Sequence, residues 1–430
     1  MRIVGELQFN STRKYSNGKK ECFLCFTEGK EKETYLVAFK NKRKYTNNIY
    51  IVIEPIEKNL HLFDKFKYAK LIKVIGQIDD FNSRYEMLFY KYQFCIKKQE
   101  FDLLKTKDTR TDLSKFETIS IDPEGSKDID DALSIIDDKI YIHIADPTSY
   151  VKMKPMVRTS TIYNHRTINM YNDKICYDLC SLIKGKKRNA VTFIYDIKTK
   201  TIEDHELTIV KLDRNLSYEA DDELINKLKK LICEDPHEII EKLMVSVNLY
   251  VGNILSSIDK GIFRNYKIKE IEKLSKDKEL NKYLKIIKGN SAEYSFKPEK
   301  HEYLDIENYC HFTSPLRRYV DTLNHLLFKK YIFEIDIEVP LINEELLEMI
   351  NTFEKNHRRL HRDKNLIDLQ KKVGDEIVNL EGYIIGSNSV MLSKSKIIVY
   401  VSNLKEEDTI YDKINIITYS KNDKFFFYKV

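Results

Sequence analysis

Four aspartates fall within ten residues in the stretch Ser120-Ile-Asp122-Pro-Glu-Gly-Ser-Lys-Asp128-Ile-Asp130-Asp131-Ala-Leu133. Carboxylates at that spacing repel one another, so a folded chain gathers them only where cations neutralise the site. An all-oxygen donor set selects hard ions. Mg²⁺ beside a phosphate ester is the usual occupant, with Mn²⁺ as a substitute. Two such ions about 4 Å apart can activate a water and stabilise the leaving oxygen of a phosphodiester. A calcium-binding EF-hand loop fails on spacing. Counted from Asp122, Lys127 stands where its glycine belongs and Leu133 where its bidentate glutamate belongs. The blander alternative is a solvated acidic turn. Against it, Ile119, Ile121, Ile129, Ala132 and Leu133 flank the aspartates and call for a core beneath them.

A second constellation is His311-Phe-Thr-Ser314-Pro-Leu-Arg317-Arg318-Tyr-Val-Asp321-Thr-Leu-Asn-His325. Ser314 is a good N-cap and Pro315 a good first helical residue, which predicts a helix starting there. Leu316, Val320, Leu323 and Leu327 would form its apolar stripe, with Arg317, Asp321 and His325 on another. A helix N-terminus attracts phosphate, and an arginine in its first turn adds a planar, bidentate donor. Taken alone, a surface ion pair between Arg317 and Asp321 is the simpler account.

The elements that must hold these residues change character along the chain. Residues 1–95 show short β-branched or aromatic runs (36–39, 49–53, 69–75 and 87–90) separated by polar turns, which favours a small OB-like or cold-shock barrel. The same region carries 18 lysines and arginines against 11 aspartates and glutamates, whereas the whole chain is only +6. Such a basic module suits a polyanion. Within it Lys42, Arg43 and Tyr45 combine cations with a ring, as single-strand binders do; a solvated turn with a core-facing tyrosine fits equally well. Residues 96–117 read as a charged connector. From about 118 strands (140–145, 191–197) mix with helical periodicity at 220–262, 314–331 and 343–371. The tail, 372–430, alternates again and reads as a second small β domain.

Together the two constellations resemble the signature blocks of the RNB family, the ribonuclease II group of 3′→5′ exoribonucleases. Asp122, Asp128, Asp130 and Asp131 have that family's D-x5-D-x-D-D spacing. Ile142-His-Ile-Ala-Asp146-Pro, Thr161-Ile-Tyr163, Leu179-Cys180-Ser181-Leu182, Leu216-Ser-Tyr218 and His311 to Tyr319 are similar to its later blocks, in order. The resemblance spans about residues 117–370. It implies an α+β fold, with an RNB catalytic domain (118–371) between a cold-shock-type barrel (1–95) and an S1-like barrel (372–430). It also implies metal-binding aspartates, with Asp130 most tied to the chemical step and Arg317 clamping the scissile phosphate. Tyr163 would stack on terminal bases, and Arg318 would join Arg317 on the RNA. The implied activity is processive hydrolysis of single-stranded RNA to nucleoside 5′-monophosphates with two Mg²⁺ ions. An inactive RNB-fold RNA-binding regulator is the alternative. The pattern departs near Asn365, where an acidic residue is expected and Asp363 or Asp368 would have to substitute. Residues 263–301 are shortened.

Composition narrows the rest. Seven cysteines, an odd number in a chain of 430 residues, fit free thiols rather than a disulfide framework. Cys22-Phe-Leu-Cys25 is half a zinc pattern inside a strand-like stretch, and a structural role is the better reading. The start lacks a signal-peptide run, and no later stretch approaches the length of a membrane span. The expectation is a cytoplasmic monomer whose partner is single-stranded RNA, with no membrane partner. Recruitment into a larger RNA-decay assembly stays open, since nothing in the sequence speaks for or against it.

Overall fold

The computed structural model describes all residues except 1, 12–14, 18–19, 29–31, 42, 44, 57–66, 95–100, 105–107, 155–159, 164–165, 269–279, 282, 285–291, 375, 406 and 422–423. The chain divides into two units, one formed by residues 1–97 with 356–430 and the other by 98–355.

In the first unit the strands are β1 (Ile3–Leu7), β2 (Tyr15–Asn17), β3 (Lys20–Thr27), β4 (Thr34–Ala38), β5 (Ile49–Ile56) and β6 (Lys67–Gln77). β1 pairs with both β3 and β5, and β4 runs parallel to β6, so five strands close in the order β1-β3-β4-β6-β5. That is the closed circuit of an OB barrel, expected from the short alternating runs. Leu7, Cys25, Val37, Ile49, Ile51 and Ile53 fill it. Cys22 and Cys25 are buried strand residues. One expectation fails: 87–90 is not a strand but part of helix α1 (Phe81–Lys91). Asp80 caps that helix by accepting from the backbone N–H groups of Asn82 and Ser83. An aspartate cap ahead of about three helical turns outweighs a short aromatic run.

The second unit is built on a seven-stranded sheet. Its members are β7 (Thr111–Asp112), β8 (Ile119–Asp122), β9 (Asp131–Ile136) and β10 (Lys139–Ala145), then, after the hairpin β11 (Thr161–Tyr163)–β12 (Arg166–Ile168), β13 (Lys187–Asp196), β14 (Thr201–Lys211) and β15 (Arg214–Ser217). Their order is β15-β8-β9-β10-β13-β14-β7, with the two outermost pairings parallel and the rest antiparallel. Helices α2 (Glu223–Leu231) and α3 (Pro236–Ser257) cover one face through Leu228, Leu243, Val247 and Val251. Past the small pair β16 (Phe263–Asn265) and β17 (Glu293–Ser295), α4 (Tyr319–Tyr331) and the first turns of α5 (Glu344–Val373) cover the other through Leu323, Leu326, Leu347 and Ile350. By length and composition α3 could cross a membrane, against the sequence expectation, yet its apolar stripe is spent in this core. At Gly252 any Cβ would strike the carbonyl of Asn308, so the missing side chain lets α3 meet the segment that leads into His311–Arg318.

A row of buried polar groups crosses the same sheet. Thr118 Oγ1 meets Ser134 Oγ (2.8 Å), which meets His143 Nε2 (3.0 Å); His143 Nδ1 meets Thr192 Oγ1 (2.8 Å), which meets Thr208 Oγ1 (2.7 Å). Slipping any strand by one residue would bury these groups unpaired, so the row pins register.

The division between the units falls inside α5, whose residues from 356 onward belong to the first. There Tyr92 donates to Asp363 (2.5 Å) and Tyr85 donates to Asp368. Strands β18 (Val378–Gly386), β19 (Ser389–Leu392), β20 (Ile398–Tyr400), β21 (Lys413–Lys421) and β22 (Lys424–Lys429) form a sheet of order β20-β19-β18-β21-β22. This is OB strand order without a ladder between β20 and β22 among the described residues. Leu366 and Leu369 of α5 pack on its core.

Burial pushes the His143 imidazole down to about 3, and His301 and His325 down to about 4. Each therefore folds neutral, and its contribution is present above the unfolded value near 6.5 and lost as pH falls below it. The histidines should pull the urea midpoint down between pH 7 and pH 4.5, a contribution read as the difference in pH slope between wild type and a variant lacking one imidazole. His143→Leu should flatten part of that slope and cost about 2–3 kcal/mol at pH 7, because Ser134 and Thr192 lose partners. An unchanged slope would remove His143 from the account.

Candidate active site

β8 and β9 pair only at Ile119–Leu133 and then part, and the acidic segment spans the gap. Asp122 closes β8 and Asp131 opens β9, so strands fix both. The Asp130 carbonyl accepts from Ala145 N–H (2.8 Å) at the end of β10. Between them Pro123–Lys127 is exposed, and Ser126 turns back on the Pro123 carbonyl with Gly125 at φ +81°. The parallel pairing of β15 with β8 sets Ser217 beside Asp122, so Tyr218 follows next to the acids.

From the other side comes the Ser314–Arg318 segment. The helix begins at Tyr319, not at Pro315, with Arg318 in extended conformation as its cap residue. Two carboxylates hold the preceding turn: Leu316 N–H donates to Asp130 Oδ1 (2.8 Å) and Ser314 N–H to Asp321 Oδ1 (2.8 Å). Arg317 therefore lies outside the helix and pairs with Asp130 Oδ2 (3.3 Å) and Ser314 Oγ (3.0 Å), while its side chain stays 55% exposed. Asp321 pairs with Arg318 (2.8 Å), not with Arg317. His325 is a core residue, stacked on Phe312 and bonded to its carbonyl.

All four aspartates, Arg317 and Arg318 line one cavity of about 520 Å³. Asp130 is only 5% exposed. Burial raises its pKa to about 7 despite Arg317, and raises Asp122 to about 6, with Asp128 adding repulsion. Asp131 is driven well above the carboxylate range by burial and then by Asp122 and Asp130.

These groups suit a hard cation in donor chemistry, in mutual repulsion and in one orphaned atom, for Asp122 Oδ2 is buried without a hydrogen-bond partner. Among the described residues no three acidic, histidine or cysteine side chains already converge as one ion's ligands. Two Asp130 oxygens instead face Leu316 and Arg317.

Of the other expected RNA contacts, Tyr163 lies on β11, whose hairpin is tied to the turn by Ser160 N–H on the Arg317 carbonyl (2.9 Å); its side chain is outside the described residues. Lys42 is likewise outside them. Arg43 is exposed, and Tyr45 packs against the barrel core with its hydroxyl 3.5 Å from Arg43. Asp363 and Asp368 are engaged by Tyr92 and Lys91, and by Tyr85 and Lys364. The sequence had given Tyr218 no role, yet its ring lines the cavity and stacks on His237 at 3.5 Å. Also unforeseen is the buried set around Asp146, where Arg110 (2.7 Å) and Lys329 (2.9 Å) bind one carboxylate and fasten α4 to the sheet.

The RNB domain model matches residues 110–233 and 227–334, just over half of the chain. The chain belongs to the RNB family. It is similar to Exoribonuclease 2 of Buchnera aphidicola, 26% identical in an alignment that covers 73% of this chain. It spans 65% of that relative, less than two thirds of its length. In fold it is similar to Mycoplasma genitalium RNase R (TM-score 0.75, 16% identity, covering 100% of this chain and 90% of that one). It is also similar in fold to yeast Ssd1, a pseudonuclease (TM-score 0.69, 13% identity, covering 98% and 68%).

For carboxylates raised above their unfolded values, stability is full below about 3.8 and is lost as pH rises through 6 to 7. Without an ion, the RNB unit is thus weakened at pH 8 by its own aspartates. Mg²⁺ at about 100 times its dissociation constant should restore about 2.7 kcal/mol there, visible as a higher unfolding temperature, and much less at pH 5.5. Asp131→Asn should raise the unfolding temperature in EDTA and remove most of the Mg²⁺ response. An equal Mg²⁺ response at both pH values would contradict this.

Proposed function

We propose that this chain is a hydrolytic exoribonuclease that degrades single-stranded RNA from the 3′ end, processively, to nucleoside 5′-monophosphates. The observation that carries the reading is the single cavity in which four aspartates face an exposed arginine. The Exoribonuclease 2 relative supports the activity class. Asp122, Asp128, Asp130 and Asp131 would hold Mg²⁺, or Mn²⁺ in its place. The bound ions would supply a polarised water and charge for the leaving oxygen.

The chain's own residues do the rest. Arg317, steadied by Ser314 and Asp130, is the group that reaches a non-bridging phosphate oxygen and offsets charge growing there. Asp130 fixes the Leu316–Arg317 turn against the acidic segment, so phosphate and carboxylates meet at one place. Tyr218, backed by His237, walls the cavity beside Asp122. Tyr163 would stack on the terminal bases, with Arg318 on the same strand of RNA. Lys42, Arg43 and Tyr45 would add further RNA contacts. The chain would work as a monomer.

A second reading, RNA binding without cleavage, is favoured by the similarity in fold to the Ssd1 pseudonuclease. Against it stand acids held at the cost of repulsion, which a binding protein would not need.

The test is a 5′-labelled single-stranded RNA and a matching DNA incubated with protein in Mg²⁺ or EDTA. The expected result is Mg²⁺-dependent shortening of RNA to a small limit product with 5′-monophosphates released and DNA spared. Arg317→Ala should slow it at least about 100-fold with RNA binding kept, and Asp130→Asn should slow it at least as much. RNA bound but left whole across metals and pH would hand the case to the second reading.

A further inference from the structure

Of the four aspartates, three take their places from strands. Asp122 ends β8, Asp131 begins β9, and Asp130 is tied by its carbonyl to Ala145. Asp128 has no such support, because it follows the exposed turn Pro123–Lys127. Something else must fix it, or one carboxylate of the quartet would wander on its loop.

The backbone on either side of Asp128 meets one side chain. Ser181 Oγ donates to the Lys127 carbonyl (2.8 Å) and accepts from the Ile129 N–H (2.9 Å), clasping residue 128 between them. A single hydroxyl can do both because it is donor and acceptor at once. Ser181 is itself fully buried. Its carbonyl accepts from Arg188 Nε (3.1 Å), and Arg188 also donates to the carbonyls of Asp178 (2.5 Å) and Lys187 (2.9 Å). The neighbouring Leu182 N–H reaches the Ile129 carbonyl (3.1 Å). A chain of bonds therefore runs from β13 through Arg188 and Ser181 to the backbone that carries Asp128.

We propose that Ser181 is the positioning residue of Asp128, setting that carboxylate among the other three for ion binding. The proposal rests on the reading of the quartet as the metal site. Groups that orient ligands from behind typically change metal affinity or activity by 10–100-fold when removed. Ser181 does not line the cavity, so its influence passes through the backbone on either side of Asp128. That makes the two residues non-additive, whereas a general loss of fold would add to any other defect.

The experiment measures Mn²⁺ affinity by electron paramagnetic resonance on the full chain, with RNA degradation alongside. Four proteins are compared: wild type, Ser181→Ala, Asp128→Asn and the double variant. Ser181→Ala is expected to weaken Mn²⁺ about 10–100-fold, and the double variant should bind no worse than Asp128→Asn. Ser181→Thr, which keeps the hydroxyl, should recover most of the affinity. If Ser181→Ala does not fold, Ser181→Cys, similar in size with a weaker donor and acceptor, takes its place. Wild-type affinity in the variant, or additive losses in the double variant, would overturn the proposal. Wild type that neither binds Mn²⁺ nor degrades RNA would instead strike the metal-site reading itself, so the two failures are told apart.

Discussion

Asp130 accepts the Leu316 N–H on one oxygen and the Arg317 guanidinium on the other, 186 and 187 residues along the chain. It does so 5% exposed and one residue from the half-buried Asp131. Neither partner cancels the cost of burying these charges, since both aspartates remain raised. The structure tolerates that cost because the surrounding core is independent of it. Ile121 and Leu133 sink to one side of the sheet while Ile129 and Ala132 sink to the other. The acids thus occupy a gap between two strands whose remaining residues are securely packed. Instability is confined to the place where a ligand can relieve it.

Much of this was legible beforehand, for identifiable reasons. The barrel of residues 3–77 follows from alternating residues and turns, which are local properties. The acidic segment was readable because repulsion among near neighbours is also local. What the sequence did not disclose was mostly long-range. Nothing near Asp146 announces Arg110 and Lys329 as its partners, and nothing near Tyr218 announces His237. The polar row through His143 was equally hidden, because its members sit singly on separate strands. The helix at Phe81–Lys91 was missed for a different reason. Its local signal, the Asp80 cap, lies in the sequence beside four residues of strand-like composition that point the other way.

The start of α4 shows local preference losing outright. Ser314 and Pro315 form a sound helix opening on any propensity argument. A helix begun there would leave its first N–H groups to water or to a side-chain cap. Here Asp321 takes the Ser314 N–H and Asp130 takes that of Leu316, two charge-assisted bonds worth more than one serine cap. The chain therefore turns once more before the helix begins at Tyr319. The consequence is functional. On a helix Arg317 would share a face with Asp321 and be neutralised by it. Displaced into the turn, it leaves Asp321 to Arg318 and faces the acidic cavity with half its side chain in solvent. Asp130, one of the four acids of the cavity, is thus also one of the two groups that bend the chain and turn its arginine toward them.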